Sequence, residues 1–108
     1  MDEKYRLAIP YLEKASQKVN QEGSYYFPFK ELGGARFMLS QYARAKDTLL
    51  IAEKMGDAFP LTIGTLGVCF DKLGDRKNAM TYYHRYLGLN PDNTAMTKMV
   101  KGRLSKLE

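Results

Sequence analysis

The chain has 108 residues, enough for one small domain, and its 44% hydrophobic and 27% charged content excludes a disordered chain. With 17 Lys and Arg against 12 Asp and Glu the net charge is +5, a mild basicity that favours solubility and weak attraction to anions without bearing on fold. Cys69 is the single cysteine, which excludes an intramolecular disulfide and a multi-cysteine zinc site and fits a reducing compartment.

In chain order, the first element is a helix over residues 3–18, with Pro10 about two turns in, where it should bend the axis. Asp2-Glu3-Lys4 directly follows Met1, so no apolar signal segment is expected. A connection, "SQKVNQEGSYY", leads to helices over 28–39 and 42–56, the former opened by Pro28 in its first turn. The next pair covers 60–73, opened by Pro60, and 76–88; Gly74 suits the C-terminal turn and Asp75 the following N-cap. Asn90-Pro91-Asp92 ends that pair and offers Asn90 or Asp92 as the next cap. A last helix over 92–106 puts Met96, Met99, Val100, Leu104 and Leu107 on one face. The longest uncharged apolar stretch, Ala58 to Phe70, is broken by Pro60, Gly64 and Gly67 and falls short of the roughly 20 residues a membrane span needs.

These elements repeat. Leu32-Gly33 and Leu66-Gly67 lie 34 residues apart, as do Ala45 and Ala79, Leu49 and Tyr83, and Ala52 and Tyr86; Ser40-Gln41 stands where Gly74-Asp75 stands. Tyr5, Ala8, Leu12 and Ala15 repeat the spacing of Tyr42, Ala45, Leu49 and Ala52 at an offset of 37. Gly inside a helix costs about 1 kcal/mol relative to Ala, and close helix approach supplies a reason at Gly33 and Gly67 but leaves Gly34 and Gly64 without one.

A two-helix unit with a 34-residue period resembles the tetratricopeptide repeat (TPR) family. The matching residues are Phe29, Leu32-Gly33, Tyr42, Ala45, Leu49 and Ala52 in one repeat, and Ile63, Leu66-Gly67, Phe70, Gly74-Asp75, Ala79, Tyr83 and Pro91 in the next. Arg36 and Tyr86 depart from the pattern, the first replacing an aromatic and the second a small residue. The resemblance implies an all-α fold, a right-handed α-α superhelix of antiparallel helical hairpins with about six helices. It reads as a single domain over 1–108: a half repeat at 3–18, full repeats at 26–59 and 60–93, and a C-terminal capping helix at 94–107.

No catalytic constellation is visible. His84 is the only histidine and falls on the outer side of a helix; Cys69 falls in a packed half; no phosphate loop or metal-ligand spacing occurs. No enzyme activity, cofactor or metal is therefore expected within these residues. The resemblance implies instead a concave groove that binds a peptide or protein segment, lined by Phe27, Lys30, Glu31, Gly34, Phe37 and Met38 from the first repeat and Leu61, Gly64, Thr65, Val68, Asp71 and Lys72 from the second. Lys98, Met99 and Gly102 would add to it from the final helix. The two-carboxylate clamp used by some family members is not expected, because only Lys30 matches it while Gly34, Thr65, Ala95 and Met99 replace its other residues. Nucleic acid is not the expected partner, since packing accounts for most aromatics. The alternative reading is an assembly element: the first helix lacks its own partner helix, leaving Tyr5, Ile9 and Leu12 for a second copy or for the rest of a longer protein. The compartment stays open; a complete chain would be soluble and cytoplasmic.

Overall fold

The computed structural model describes residues 2–22, 26–89 and 91–108, with the backbone only for 19–22. Among the described residues all regular structure is helical: α1 (Asp2–Glu22), α2 (Phe27–Met38), α3 (Tyr42–Lys54), α4 (Pro60–Lys72), α5 (Arg76–Gly88) and α6 (Thr94–Leu107). The helices form antiparallel hairpins, α2 with α3 and α4 with α5; α1 packs on α2, and α6 on α5. The chain divides into two compact units, Met1–Asp57 and Ala58–Glu108.

The first helix departs most from its expected span, running on to Glu22 and continuing through Pro10. No glycine interrupts residues 2–22, so nothing in the sequence stops the helix at residue 18. Pro10 has no N–H to donate to the Arg6 carbonyl, and both residues are exposed, where solvent can satisfy that acceptor.

In the first unit the closest approach is between α2 and α3. A Cβ placed on Gly33 would lie 2.5 Å from Leu49 Cγ, so only glycine lets that leucine seat. Phe29, Leu32 and Ala45 complete this core. Arg36 crosses it: Nη1 donates to Thr48 Oγ1 at 2.7 Å and Nη2 to Glu13 Oε2 at 2.9 Å, joining α1, α2 and α3. The second unit repeats the approach. A Cβ on Gly67 would lie 2.6 Å from Tyr83 Cδ1, and Tyr83 is fully buried. Phe70 stacks on Tyr82 with centroids 5.4 Å apart, at the place where the first unit has Arg36 and Thr48.

The turns share one hydrogen-bond pattern. Gln41 N donates to Arg36 O at 2.9 Å, Asp57 N to Ala52 O at 3.0 Å, and Asp75 N to Phe70 O at 2.9 Å, each closing a helix through a residue of positive φ. That residue is Gly56 (φ 112°), Gly74 (φ 81°) and, in the first hairpin, Ser40 (φ 60°). Asp75 caps α5, accepting from Asn78 N at 3.2 Å. The cap of α6 is Asn93, accepting from Met96 N at 2.9 Å, rather than Asp92; the helix begins at Thr94, which moves the cap position past Asp92, and Asn90 lies outside the described residues.

Ser40 adopts the left-handed backbone that Gly74 adopts in the equivalent turn, at a cost of about 1–2 kcal/mol for a residue with a Cβ. Ser40→Gly should therefore raise stability by roughly 0.5–1 kcal/mol after the entropy of the added glycine is subtracted. Urea unfolding checks this: the midpoint should rise with no change in slope, and a lower midpoint would contradict the turn assignment.

Candidate functional site

The outward stripe of α2 is the candidate surface of the first unit. Phe29, Leu32, Gly33 and Ala35 are buried. Phe27, Glu31 and Met38 are exposed, and Lys30, Gly34 and Phe37 are half-buried. All six residues expected to line a groove on this helix thus share one accessible face. Phe37 is fixed there by an edge contact with Tyr42, centroids 5.7 Å apart. At the middle of the stripe a Cβ on Gly34 would meet nothing within 4 Å. The result is an aromatic and thioether face with bare backbone at its centre, flanked by one cation and one anion.

The second unit is different. Leu61 and Lys72 are exposed and Val68 half-buried, but Gly64 and Thr65 are buried. Helix α6 occupies part of the expected stripe. A Cβ on Gly64 would lie 2.6 Å from Met96 Sδ and 2.9 Å from Tyr86 Cδ1, so this glycine serves internal packing, not an incoming partner. Asp71 is also engaged. Arg103 Nε donates to its Oδ2 at 2.7 Å, Arg103 Nη2 to its Oδ1 at 2.8 Å, and Tyr83 OH to its Oδ2 at 2.8 Å. Gly64 to Met96 and Asp71 to Arg103 span the same 32 residues, so α6 lies along α4 in the same direction. Lys98, Met99 and Gly102 remain exposed on α6. Met99 thereby departs from the expected apolar face, whose buried members are Val100 and Leu104.

The Arg103 hydrogen bonds hold the Asp71 carboxyl below its ordinary value; burial opposes them, and the Tyr83 bond adds to them. Burial raises the Tyr83 hydroxyl above its ordinary value, and its bond to Asp71 raises it further. This network joins α4, α5 and α6.

On α1, Tyr5, Ile9 and Leu12, the residues expected to be uncovered, are half-buried. The large exposed side chains are Leu7 at 64% and Tyr11 at 77%. Sequence reasoning passed over both. The signal was available in their spacing of four, which puts them on one stripe of a helix.

Cys69 is buried. His84 Nε2 lies 2.9 Å from Glu108 Oε1, a surface pair at a helix end. Among the described residues no group of three His, Cys, Asp or Glu side chains could hold a metal ion, and no helix is long and apolar enough to cross a membrane.

No protein-family model matches the sequence, and no curated protein matches it. Among solved structures, the chain is similar to the crystal structure of the MamA protein, with a TM-score of 0.71 and 21% identity over 95% of this chain. It spans 58% of the length of that chain. The likeness establishes the fold: a tetratricopeptide-like, all-helical repeat architecture of antiparallel hairpins.

Two glycines on the first helices of the two hairpins should respond oppositely to a methyl group. Gly34→Ala adds a good helix former in open space and should stabilise by about 1 kcal/mol. Gly67→Ala drives a methyl into a buried, hydrogen-bonded tyrosine and should destabilise by about 1–3 kcal/mol. Denaturant midpoints of the pair decide it, and equal shifts would refute the packing role of Gly67. A separate test concerns Asp71. Its folded value is lowered, so its contribution is present above about pH 4, the unfolded value, and is lost as pH falls through the folded one. Asp71→Asn should lower Tm by roughly 5 °C at pH 7. The gap from the parent protein should narrow progressively as pH falls below about 4. A gap independent of pH would mean that the carboxylate charge contributes nothing.

Proposed function

We propose that this chain is a non-catalytic interaction module that holds a peptide or protein segment against the exposed face of the first helix of a hairpin. The observation that carries this reading is the α2 stripe. Phe27 and Met38, each 46% exposed, stand on either side of Gly34, above which a Cβ would meet nothing. A face of this kind offers two apolar anchors and, between them, a place where a partner's backbone can come close. Leu61, Val68 and Lys72 offer a shorter surface of the same kind on α4, and Lys98 a cation on α6. The tetratricopeptide-like architecture agrees with this reading, because repeats of this kind present the same helix of each hairpin for binding.

A second reading, an assembly element working through α1, is favoured by one specific observation: the exposure of Leu7 and Tyr11. The two readings involve different helices and are separable.

Selection of a displayed random peptide library against the full chain, followed by titration of the selected peptides, tests the first reading. Gly34→Glu and the pair Phe27→Ala with Met38→Ala should each weaken binding at least about tenfold, since truncated anchors at hot spots cost this much. Helical circular dichroism should not change, because all three positions face solvent. Selected peptides that bind all variants equally would place the site elsewhere, and failure to select any peptide would refute the reading.

A further inference from the structure

Helix α1 turns one side to α2, through Glu13, which receives Arg36, and Ser16, which is buried. Tyr5, Ile9 and Leu12 lie on that side and are half-buried. At about 3.6 residues per turn, Lys4, Leu7, Tyr11, Lys14 and Lys18 fall on the opposite side, along one ridge. All five are exposed, Leu7 at 64% and Tyr11 at 77%. These two side chains are not the rim of the contact with α2. They stand half a turn away from it, in water.

The ridge is cationic as well as apolar. Lys4 precedes the apolar pair, and Lys14 and Lys18 follow it. Arg6 and Pro10, both exposed, run along one edge. Among the described side chains on this side, Glu3 is the one anion, and it sits in the first turn. Glu13 is turned toward Arg36. A lysine carries its charge on a long apolar stem, so the ammonium groups reach anions beside the leucine and the tyrosine.

Charge and shape decide what fits this ridge. A second copy does not match it. In a two-fold antiparallel contact that sets Leu7 against the copy's Tyr11, Lys4 meets the copy's Lys14. Like charges opposed in this way disfavour the pair. A helix ridge is convex, and the recess beside α1 lies elsewhere, lined by Glu13, Ser16 and Phe29. A planar anionic surface, in contrast, meets a convex ridge along its whole length. There a leucine enters the acyl boundary, a tyrosine ring stays at headgroup level, and lysines meet the phosphates.

We infer that the ridge of Lys4, Leu7, Tyr11, Lys14 and Lys18 docks this chain on the surface of an anionic lipid bilayer, with α1 lying in the headgroup plane. This is a surface contact, since no helix among the described residues is long and apolar enough to cross a membrane. The inference goes beyond both readings above and gives Leu7 and Tyr11 an occupant other than a protein. Two apolar side chains and three cations make a reversible contact, driven by charge and set by lipid composition.

The test uses the full chain and lipid vesicles, read by co-sedimentation at low salt. Vesicles of phosphatidylserine and phosphatidylcholine in equal parts should bind at least about tenfold more tightly than phosphatidylcholine alone. The triple variant Lys4→Gln, Lys14→Gln, Lys18→Gln should bind the anionic vesicles at least about tenfold more weakly than the parent. The triple variant Lys77→Gln, Lys101→Gln, Lys106→Gln has the same net charge and should stay within about threefold of the parent. Leu7→Ala with Tyr11→Ala keeps the charge and should still weaken binding at least about fivefold. All these positions are exposed, so helical circular dichroism should not change. The chain has no tryptophan, so Tyr11→Trp adds a single reporter. Its emission should move to shorter wavelength on anionic vesicles and stay unchanged with polyglutamate. No binding to anionic vesicles would overturn the proposal. Equal losses from the two lysine triples would also overturn it, because they would mean general attraction to a basic chain. Polyglutamate binding as tight as vesicle binding, with no emission change, would make the partner an acidic protein and overturn the lipid assignment. A dimer in light scattering that Tyr11→Asp dissolves, without vesicle binding, would make a second copy the occupant; the lipid proposal would fall and the assembly reading would stand.

Discussion

Everything in each hairpin depends on one contact, a glycine of the first helix against a large side chain of the second. Gly33 receives Leu49 and Gly67 receives Tyr83. With a Cβ at either glycine, the helices would have to separate, and every neighbouring pair would lose contact with them. The flanking residues vary more freely. Gly64 and Tyr86 show the same principle used a second time within one hairpin. A tyrosine occupies the place where the first unit has Ala52, and its ring lies over a glycine that replaces Lys30. The bulk has moved from one helix to the other, and Tyr86 is fully buried as a result. Its hydroxyl reaches Thr97 Oγ1 at 3.1 Å, so the buried phenol keeps a hydrogen-bond partner.

Each unit adds one polar tie that joins three helices, and the ties have opposite sign. In the first unit a cation on the first helix, Arg36, reaches Thr48 and Glu13. In the second an anion on the first helix, Asp71, receives Arg103 and Tyr83. The exposed end of each pair contributes little as a surface ion pair. The geometry matters more. The bidentate Arg103 fork fixes α6 in register along α4, and Arg36 fixes α1 beside α2. These ties decide which helix faces are spent on internal packing and which remain for a partner. The α2 stripe stays open because Arg36 points away from it, whereas the α4 stripe is partly closed because Asp71 lies on it.

The repeat made the hairpins legible. A 34-residue offset at Leu32-Gly33 and Leu66-Gly67 located the helix pairs and the close contacts, and Gly74-Asp75 located a turn and a cap. The offset also placed Ser40 where a glycine belongs, and the left-handed backbone there follows from the shared turn, not from any preference of serine. What escaped the sequence were contacts between helices outside the repeat. The pairing of α6 with α4 depends on Met96 and Arg103, which belong to no matched motif, so Gly64 and Asp71 read as groove residues when α6 already uses them. Asn93 was missed as a cap because helix starts near proline are set by the exact turn, which single residues do not fix. Leu7 and Tyr11 were overlooked because the motif assigns no role to their positions, so their apolar character had nothing to be compared with.

The two terminal helices differ in a way the same contact explains. Val100 continues the series of Leu32 and Leu66, and Leu104 that of Arg36 and Phe70, so α6 keeps the register of a first helix. The residue in the glycine place, however, is Lys101, and it is exposed. A second helix could not approach α6 there as α3 approaches α2, because a lysine stem would stand where a leucine or tyrosine must seat, and its ammonium would lose water on contact. Helix α6 therefore carries an exposed cation where the first helix of each hairpin carries its close-contact glycine, while α1 presents Ala8, Tyr11 and Leu12 without a charge among them.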